Sequence, residues 1–312
     1  MKSTSLIRIG SRQSSLALAQ TQQVIDCVDF NSEYEIVPIV STGDKIAGPL
    51  RDHGGKSLFT KELDLALLNG TIDLAVHSMK DVETPLHKDL EIAAVPLRED
   101  ARDILIYRQG LNLDNLPADT KIGTSSLRRG HQLNFYFKNI EIVPCRGNIQ
   151  TRLLKFQNNE MAGIILAVAG LKRMGLLNNG SILGVEAQTQ ILDYEKHVPA
   201  AGQGALVVLK RKGDNRFDDA LLKINHSPSR LMIEIERQVI EGLNVTCHDP
   251  IGVHAQIHKK EIQLKVMLFD KNEPKSAAPI IMQMSEELAD FELCIEIFIE
   301  SVKRACEFRK YL

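Results

Sequence analysis

Cationic side chains recur just after apolar stretches in the middle third of the chain, and three hydroxyl residues precede the first cationic pair. The hydroxyl and cationic residues of this region are Thr124, Ser125, Ser126, Arg128, Arg129, Arg146, Arg152, Lys172 and Arg173. Free backbone amides at a helix N-terminus, hydroxyls and guanidinium groups are ligands for carboxylate and phosphate groups. Open α/β sheets place their ligands at the carboxyl ends of strands. The recurrence therefore predicts a site for a molecule that carries several negative charges.

One acidic residue has a similar position in the first third of the chain. Asp81 ends the segment His77-Ser78-Met79-Lys80-Asp81, which follows the apolar stretch 72–76. A carboxylate at a strand end can stabilise a developing positive charge and transfer a proton. A simple surface ion pair between Lys80 and Asp81 explains the same spacing, so this alternative stays open. For His77 a packed core position is the favoured interpretation.

Cys247 differs from the other cysteines in its surroundings. It lies in the polar segment 244–252, where neighbouring groups could favour a thiolate. The other four cysteines, Cys27, Cys145, Cys294 and Cys306, lie in apolar-rich segments. The five cysteines are scattered without CxxC spacing, which argues against a disulfide framework or a zinc site, and no metal is predicted.

The glycine-rich segment Gly54-Gly55-Lys56-Ser57 resembles a phosphate-binding loop only in part. The Walker pattern needs a glycine where Leu50 stands, so an NTPase is not predicted. A flexible turn before the next helix is one interpretation. A mobile loop whose Lys56 reaches an anionic ligand is the other.

Composition limits the class of protein. The 312 residues carry a formal net charge of −2 and are 44% hydrophobic, which is typical of folded globular chains and excludes a nucleic-acid-coating protein. The start of the chain lacks an apolar signal-peptide region, and the longest apolar run, 161–171, is too short to span a bilayer. A cytoplasmic protein of two or three domains, without a membrane or nucleic-acid partner, is therefore expected.

Hydrophobic periodicity predicts alternating strands and helices over the first two thirds of the chain, and hence βαβ units. Strands are predicted over 6–9, 35–40, 72–76, 104–107, 140–143, 163–168 and 205–209, with helices over 14–28 and after an N-capping Thr60. The polar stretch 178–190 is predicted to be a surface loop. A separate α+β region follows, with a helix over 232–241, a hairpin of 253–258 with 262–269, a strand over 279–284 and a helix over 286–309.

Taken together and in this order, several segments resemble the porphobilinogen deaminase family. They are Ser11-Arg12-Gln13-Ser14, Gly54-Gly55-Lys56, 77–82, 123–129, Arg146-Gly147-Asn148, 166–173, 202–205 and 247–252. The resemblance implies an α/β fold with two lobes like those of type II periplasmic binding proteins, with mixed, mostly parallel sheets and a small C-terminal α+β domain. The expected domains are 1–98 with 203–222, then 99–202, then 223–312.

The resemblance also implies a transferase reaction and a cofactor. Members of the family join four porphobilinogens head to tail, release ammonia at each step and free hydroxymethylbilane, a linear tetrapyrrole on the route to haem. Their cofactor is dipyrromethane, which would be attached here to Cys247 through a thioether. The expected partners are porphobilinogen and the growing polypyrrole chain, and a monomer is expected.

Site residues follow from the same resemblance, position by position. Asp81 would assist deamination and stabilise cationic intermediates. The cofactor would be bound by Cys247, Lys80, Asp81, Thr124, Ser125, Ser126, Arg128, Arg129, Arg146 and Gly147. The substrate or growing chain would be bound by Arg12, Ser14, Lys56, Arg146, Arg152, Arg173 and Gln203.

The chain departs from the family pattern at a few positions. Val245-Thr246 stand before Cys247 where glycines are common, and Ser57 replaces a usual glycine after Lys56. A two-lobed anion-binding protein without catalysis is the main alternative function. Such a protein would use the arginines but has no need of Asp81 or of the segment 247–252.

Overall fold

The computed structural model describes residues 6–28, 30, 32–45, 58–246, 249–270 and 278–309. The chain divides into two compact units. Unit 1 comprises Met1–Glu99 and Gly204–Glu234, and unit 2 comprises Asp100–Gln203 and Ile235–Leu312.

The described residues form strands and helices in alternation. The strands are β1 (Ile7–Arg12), β2 (Tyr34–Ile39), β3 (Leu74–Ser78), β4 (Leu90–Ala94), β5 (Asp103–Tyr107), β6 (Thr120–Gly123), β7 (Ile140–Val143), β8 (Gly163–Ala167), β9 (Leu177–Asn178), β10 (Ser181–Ile182), β11 (Gln188–Ile191), β12 (Leu206–Arg211), β13 (Ile251–His258), β14 (Glu261–Leu268) and β15 (Ile280–Glu287). The helices are α1 (Ser15–Cys27), α2 (Thr42–Lys45), α3 (Lys61–Leu68), α4 (Leu127–Tyr136), α5 (Ile149–Gln157), α6 (Val168–Arg173), α7 (Asp218–Ile224), α8 (Ser227–Gly242) and α9 (Phe291–Arg309). Short 3-10 turns occur at Met79–Asp81, Leu113–Asn115 and Asn215–Phe217.

Unit 1 is built on a five-stranded sheet with the order β2-β1-β3-β12-β4. β1, β2 and β3 are parallel, and β12 is antiparallel to both of its neighbours, so β12 alone is reversed. Both faces are apolar. Val76 and Val208 belong to the core on one face, and Ala75 and Val207 belong to the core on the other. The sheet is therefore covered on both sides, as its near-continuous apolar strands predict.

Unit 2 contains a second sheet with the order β11-β5-β8-β6-β7. β8, β6 and β7 are parallel, while β5 runs antiparallel to both β8 and β11. Again one strand of five is reversed. The sheet separates a core that includes Ile104 and Ile164 from one that includes Leu105 and Ile165.

The C-terminal part of unit 2 is a three-stranded antiparallel sheet, β13-β14-β15, followed by α9. β13 and β14 form a hairpin whose turn contains Lys259 in a left-handed conformation, with φ 58°. Gly252 in β13 lies very close to the backbone of residue 198. A Cβ atom on Gly252 would stand 2.5 Å from the carbonyl oxygen of Val198, so a larger residue does not fit there without a shift.

The predicted fold class is confirmed, with two mixed sheets and a small C-terminal α+β part. Three local predictions were wrong. The stretch 178–190 is no simple loop, because it contains the β9–β10 hairpin and the start of edge strand β11. α9 begins at Phe291 rather than 286, since β15 continues through Glu287. Thr60 precedes α3, but its side chain makes no capping hydrogen bond.

The predicted division into three domains stays a prediction. Within the part of the chain that the structure describes, no helix is long and apolar enough to cross a membrane.

Candidate active site

The carboxyl ends of parallel strands bring Arg12 and Asp81 together in unit 1. β1 ends at Arg12, and β3 continues into the 3-10 turn that ends at Asp81. An Nη1 atom of Arg12 lies 3.8 Å from Oδ2 of Asp81, with side chains 20% and 28% exposed. Asp81 thus presents a partly exposed carboxylate that is oriented toward a guanidinium at the same sheet edge.

Arg12 is held in place from two further sides. Its Nε donates to Oδ2 of Asp44 at 3.3 Å, its Nη2 donates to Oδ1 of the same carboxylate, and its guanidinium lies 4.3 Å from the centre of the Phe59 ring. Asp44 also accepts a hydrogen bond of 2.6 Å from the Ser41 hydroxyl. Burial alone would raise the pKa of Asp44, but the hydrogen bonds from Arg12 and Ser41 lower it below its ordinary value. The guanidinium is therefore preorganised before a ligand arrives.

Three residues close in sequence to Arg12 and Asp81 differ in their surroundings: Ser14, His77 and Lys80. Burial, with a contribution from the charge of Arg12, lowers the pKa of His77 to about 4, so the imidazole is neutral at pH 7. Its Nε2 atom is buried and has no hydrogen-bond partner among the described residues. Ser14 caps α1 by accepting from the amide of Ala17 at 3.2 Å. Lys80 is half-buried in the 3-10 turn beside Asp81.

Arg128 and Arg129 in unit 2 converge on a single buried carboxylate, Asp103. Nη2 of Arg128 donates to Oδ2 of Asp103 at 2.8 Å, while Nε and Nη2 of Arg129 donate to Oδ1 at 3.1 and 2.6 Å. His197 Nε2 lies 3.0 Å from Oδ2, and Gln203 Nε2 donates to Oδ1 at 2.9 Å. Asp103 is the first residue of the reversed strand β5, which places it at the edge where β6 and β8 end.

The charges of this network, which we call the Asp103 network, do not cancel. Burial would raise the pKa of Asp103, but the two guanidiniums and the hydrogen bond from His197 hold it well below its ordinary value. Burial lowers the pKa of His197, so its ring is neutral at pH 7. Burial also lowers the pKa of Arg128, yet a guanidinium stays protonated in proteins. Two positive charges therefore face one negative charge, which leaves one positive charge in excess.

The hydroxyl segment 124–126 links β6 to α4 and contacts the loop after β7. Ser126 caps α4 and accepts from the amide of Arg129 at 3.4 Å, and Thr124 Oγ1 accepts from the amide of Ser126 at 3.1 Å. Ser125 Oγ accepts from the amide of Cys145 at 3.2 Å. Each hydroxyl uses an acceptor lone pair in these contacts and keeps its own O–H for another acceptor.

Arg146, Gly147 and Arg152 lie at the start of α5. Gly147 has φ 113°, a conformation that favours glycine, and its carbonyl accepts from Nε of Arg152 at 2.8 Å. Burial lowers the pKa of Arg152 to about 10, and the charges of Arg129 and Arg146 contribute to the same shift. The guanidiniums of Arg129, Arg146 and Arg152 therefore form a cationic cluster that an anion would stabilise.

Arg173 ends α6, after β8, and is half-buried. Lys56 and Cys247 lie outside the described residues. In the part of the chain that is described, no group of three His, Cys, Asp or Glu residues could hold a metal ion.

Sequence reasoning missed the partners that fix the predicted cations. Asp44 and Phe59 hold Arg12, and Asp103 with His197 holds the arginine pair of α4. A usable signal was present for Asp103, because it stands directly before the apolar residues 104–106. A carboxylate that begins a buried strand needs a cationic partner.

Comparison with protein families gives two matches that together cover most of the chain. Residues 7–219 match the model described as porphobilinogen deaminase, dipyromethane cofactor binding domain, and residues 230–296 match porphobilinogen deaminase, C-terminal domain.

Curated relatives share the same name. A porphobilinogen deaminase of Moorella thermoacetica is 41% identical over 266 residues, which are 84% of this chain and 82% of that protein. One from Alkaliphilus metalliredigens is 38% identical over 290 residues, covering 92% and 88% of the two chains. Among solved structures, a Bordetella pertussis BvgS periplasmic VFT2 domain is similar with a TM-score of 0.41 and 12% identity, covering 76% of this chain and 92% of that one.

Proposed function

The chain belongs to the porphobilinogen deaminase family, and on this premise we propose a role in the reaction for each cluster described above. The enzyme acts in tetrapyrrole synthesis, joining four porphobilinogens head to tail with loss of ammonia and releasing hydroxymethylbilane. The observation that carries the proposal is the pairing of a partly exposed carboxylate, Asp81, with Arg12 at one sheet edge. A non-catalytic anion-binding protein is not favoured, because the family match includes the C-terminal domain.

The dipyrromethane cofactor fits the ligand groups of unit 2. Each of its pyrroles carries an acetate and a propionate, and guanidinium, hydroxyl and helix N-terminal amide groups are the partners that carboxylates prefer. The excess positive charge of the Asp103 network and the lowered pKa of Arg152 both favour anions there. When bound, the cofactor supplies the pyrrole to which substrate is added.

We assign the cofactor contacts to residues of the predicted set. Thr124, Ser125 and Ser126 offer O–H groups, and Gly147 allows close approach of its backbone because it has no Cβ. Cys247 is the proposed attachment point, since a thiolate is the strongest nucleophile among protein side chains at neutral pH. The remaining cofactor ligands are Lys80, Asp81, Arg128, Arg129 and Arg146.

Asp81 is the proposed catalytic residue. In its protonated form the carboxyl group can deliver a proton to the departing amine of porphobilinogen, and the carboxylate that remains can then stabilise the positive charge that develops on the substrate ring. It can also accept a hydrogen bond from a pyrrole N–H. Arg12 lies close enough to orient the Asp81 carboxylate, and contact with a substrate carboxylate is its proposed second role.

The proposed substrate ligands are the residues that the family resemblance implies. They are Arg12, Ser14, Lys56, Arg146, Arg152, Arg173 and Gln203. For Gln203 the contacts favour an indirect role, because its buried Nε2 donates to the carbonyl of Ala101 at 2.7 Å and to Asp103. We further propose a cytoplasmic, monomeric enzyme without a nucleic-acid or membrane partner.

The intact mass of the denatured protein tests the proposal. We expect the purified chain to exceed its bare mass by two linked pyrrole units, and Cys247→Ala to lack this excess. Cys27→Ala is the matched control, since Cys27 is an exposed free cysteine and should load like the parent. A parent at bare mass that gains nothing on incubation with porphobilinogen would refute the proposed function.

A further inference from the structure

We propose that Asp103 is a positioning residue of this enzyme, whose buried carboxylate sets the geometry of Arg128 and Arg129 for binding of pyrrole carboxylates. The inference rests on the proposed function, because it concerns how the cationic site of unit 2 is prepared for its ligand.

The contacts of Asp103 are directional and use both of its oxygens. Oδ1 accepts from Arg129 and Gln203, and Oδ2 accepts from Arg128 and lies beside His197, so the carboxylate cannot rotate without losing hydrogen bonds. Its side chain is 0% exposed. A carboxylate fixed in this way imposes one orientation on each guanidinium plane.

The surroundings restrain the guanidiniums on their other sides. Arg128 Nη1 donates to the carbonyl of Val198 at 2.8 Å, and Arg129 Nη1 donates to the carbonyl of Ile165 at 3.3 Å. Without Asp103 these carbonyls are the main remaining acceptors, and two like charges would repel each other. The negative charge of Asp103 therefore allows the buried side chains of Arg128 and Arg129 to lie close together. Because it neutralises only one of their two positive charges, one positive charge remains to bind the ligand.

Asp73 in unit 1 provides a matched control for the chemistry of a buried, arginine-bound aspartate. Its side chain is 4% exposed, and it contacts Arg8 at 3.2 Å, Arg216 at 2.9 Å and Arg211 at 3.6 Å. It precedes β3, at the opposite end of that strand from Asp81, and has no assigned role in binding or catalysis. Asp73→Glu therefore reports what the same substitution costs in folding alone.

The test uses Asp103→Glu, which keeps the charge and moves the carboxylate outward by one methylene. Chains produced without porphobilinogen are incubated with it, and cofactor loading is followed by intact mass at several concentrations. We expect the loading rate at low porphobilinogen to fall about tenfold or more, with a raised KM, because small misplacements of positioning groups are costly. Asp73→Glu should load within about twofold of the parent, whatever its thermal stability.

A second variant keeps the test decisive if Asp103→Glu does not fold. Gln203→Leu removes the hydrogen bonds to Asp103 and to the carbonyl of Ala101 but leaves both ion pairs of Asp103 in place, so it should fold and load with a raised KM. A smaller folded fraction would lower the maximal rate and leave KM unchanged. Parental KM values in both variants, or an equal rise in Asp73→Glu, would overturn the positioning role. A parent that does not load would instead refute the proposed function.

Discussion

Asp64 is a half-buried aspartate whose surroundings disfavour its charged form. It lies on α3, and burial, with contributions from the carboxylates of Glu83 and Glu62, raises its pKa from 3.8 to about 6. One of its side-chain oxygens, Oδ1, is buried without a hydrogen-bond partner among the described residues. Replacement by asparagine removes the charge and keeps the shape, so Asp64→Asn should stabilise the protein at pH 7.

The magnitude follows from linkage between protonation and folding. A folded-state pKa raised above the unfolded value gives stability that is present below the unfolded pKa and is lost as pH rises through the folded one. With a pKa of 3.8 in the unfolded state and about 6 in the folded state, ionisation of Asp64 destabilises the folded protein by about 3 kcal/mol at pH 7 and by about 0.5 kcal/mol at pH 4. Because Asp64 is only partly buried, solvent screening reduces the expected gain at pH 7 to about 1–3 kcal/mol.

Urea unfolding of parent and variant at pH 7 and pH 4 measures this gain. Asp214→Asn is the control of opposite sign, because hydrogen bonds from Arg216 lower the pKa of Asp214 to about 2. That substitution should destabilise by about 1–2 kcal/mol at pH 7, with the loss shrinking only as pH falls below about 4 toward 2. Two results would refute the reasoning that burial of the charge raises the pKa of Asp64. One is that Asp64→Asn leaves the free energy of unfolding at pH 7 unchanged or lowers it. The other is that it raises the free energy of unfolding by as much at pH 4 as at pH 7.

Further predictions concern the reaction and the C-terminal sheet. Asp81→Asn should fold normally and lower turnover by about 100-fold or more. Asp89→Asn, at an exposed position, should fold normally and keep the parental turnover. Near-normal turnover of Asp81→Asn would remove Asp81 from the mechanism. Arg146→Ala should stall chain growth, seen by native mass spectrometry as an altered distribution of intermediates, and an unchanged distribution would contradict its role. Gly252→Ala should destabilise the protein by about 1–3 kcal/mol in thermal unfolding, because its Cβ would meet the Val198 carbonyl at 2.5 Å; an unchanged Tm would show that this contact relaxes freely.

Local patterns were sufficient for much of the fold and for the positions of the cations. Ser14 and Ser126 cap helices where hydroxyl residues precede helical periodicity, and β7 occupies the predicted residues 140–143. Such features depend on neighbours a few residues apart. The parallel strand ends then bring Arg12 and Asp81 to one edge, as the alternation of strands and helices implies.

Partners distant in sequence could not be predicted in the same way. Asp103 belongs to a charged segment that resembles a linker, and its contacts reach Arg128, 25 residues away, and His197, 94 residues away. β11 was missed because its residues 188–191 are mostly polar and because, among the described strands, it pairs with β5 alone, at the edge of the sheet. Pairing, rather than local hydrophobicity, decides the structure of both segments.

The insertion of β12 between β3 and β4 has a consequence for synthesis on the ribosome. Residues 1–99 emerge first, but the strand that joins β3 to β4 is Leu206–Arg211, which follows all of Asp100–Gln203. Until then β3 has an open edge with unpaired backbone groups, and such edges favour aggregation of nascent chains. Truncation before residue 206 should therefore leave an N-terminal fragment that depends on chaperones. Unit 1 completes its folding only after all strands of the unit 2 sheet β11-β5-β8-β6-β7 have been synthesised.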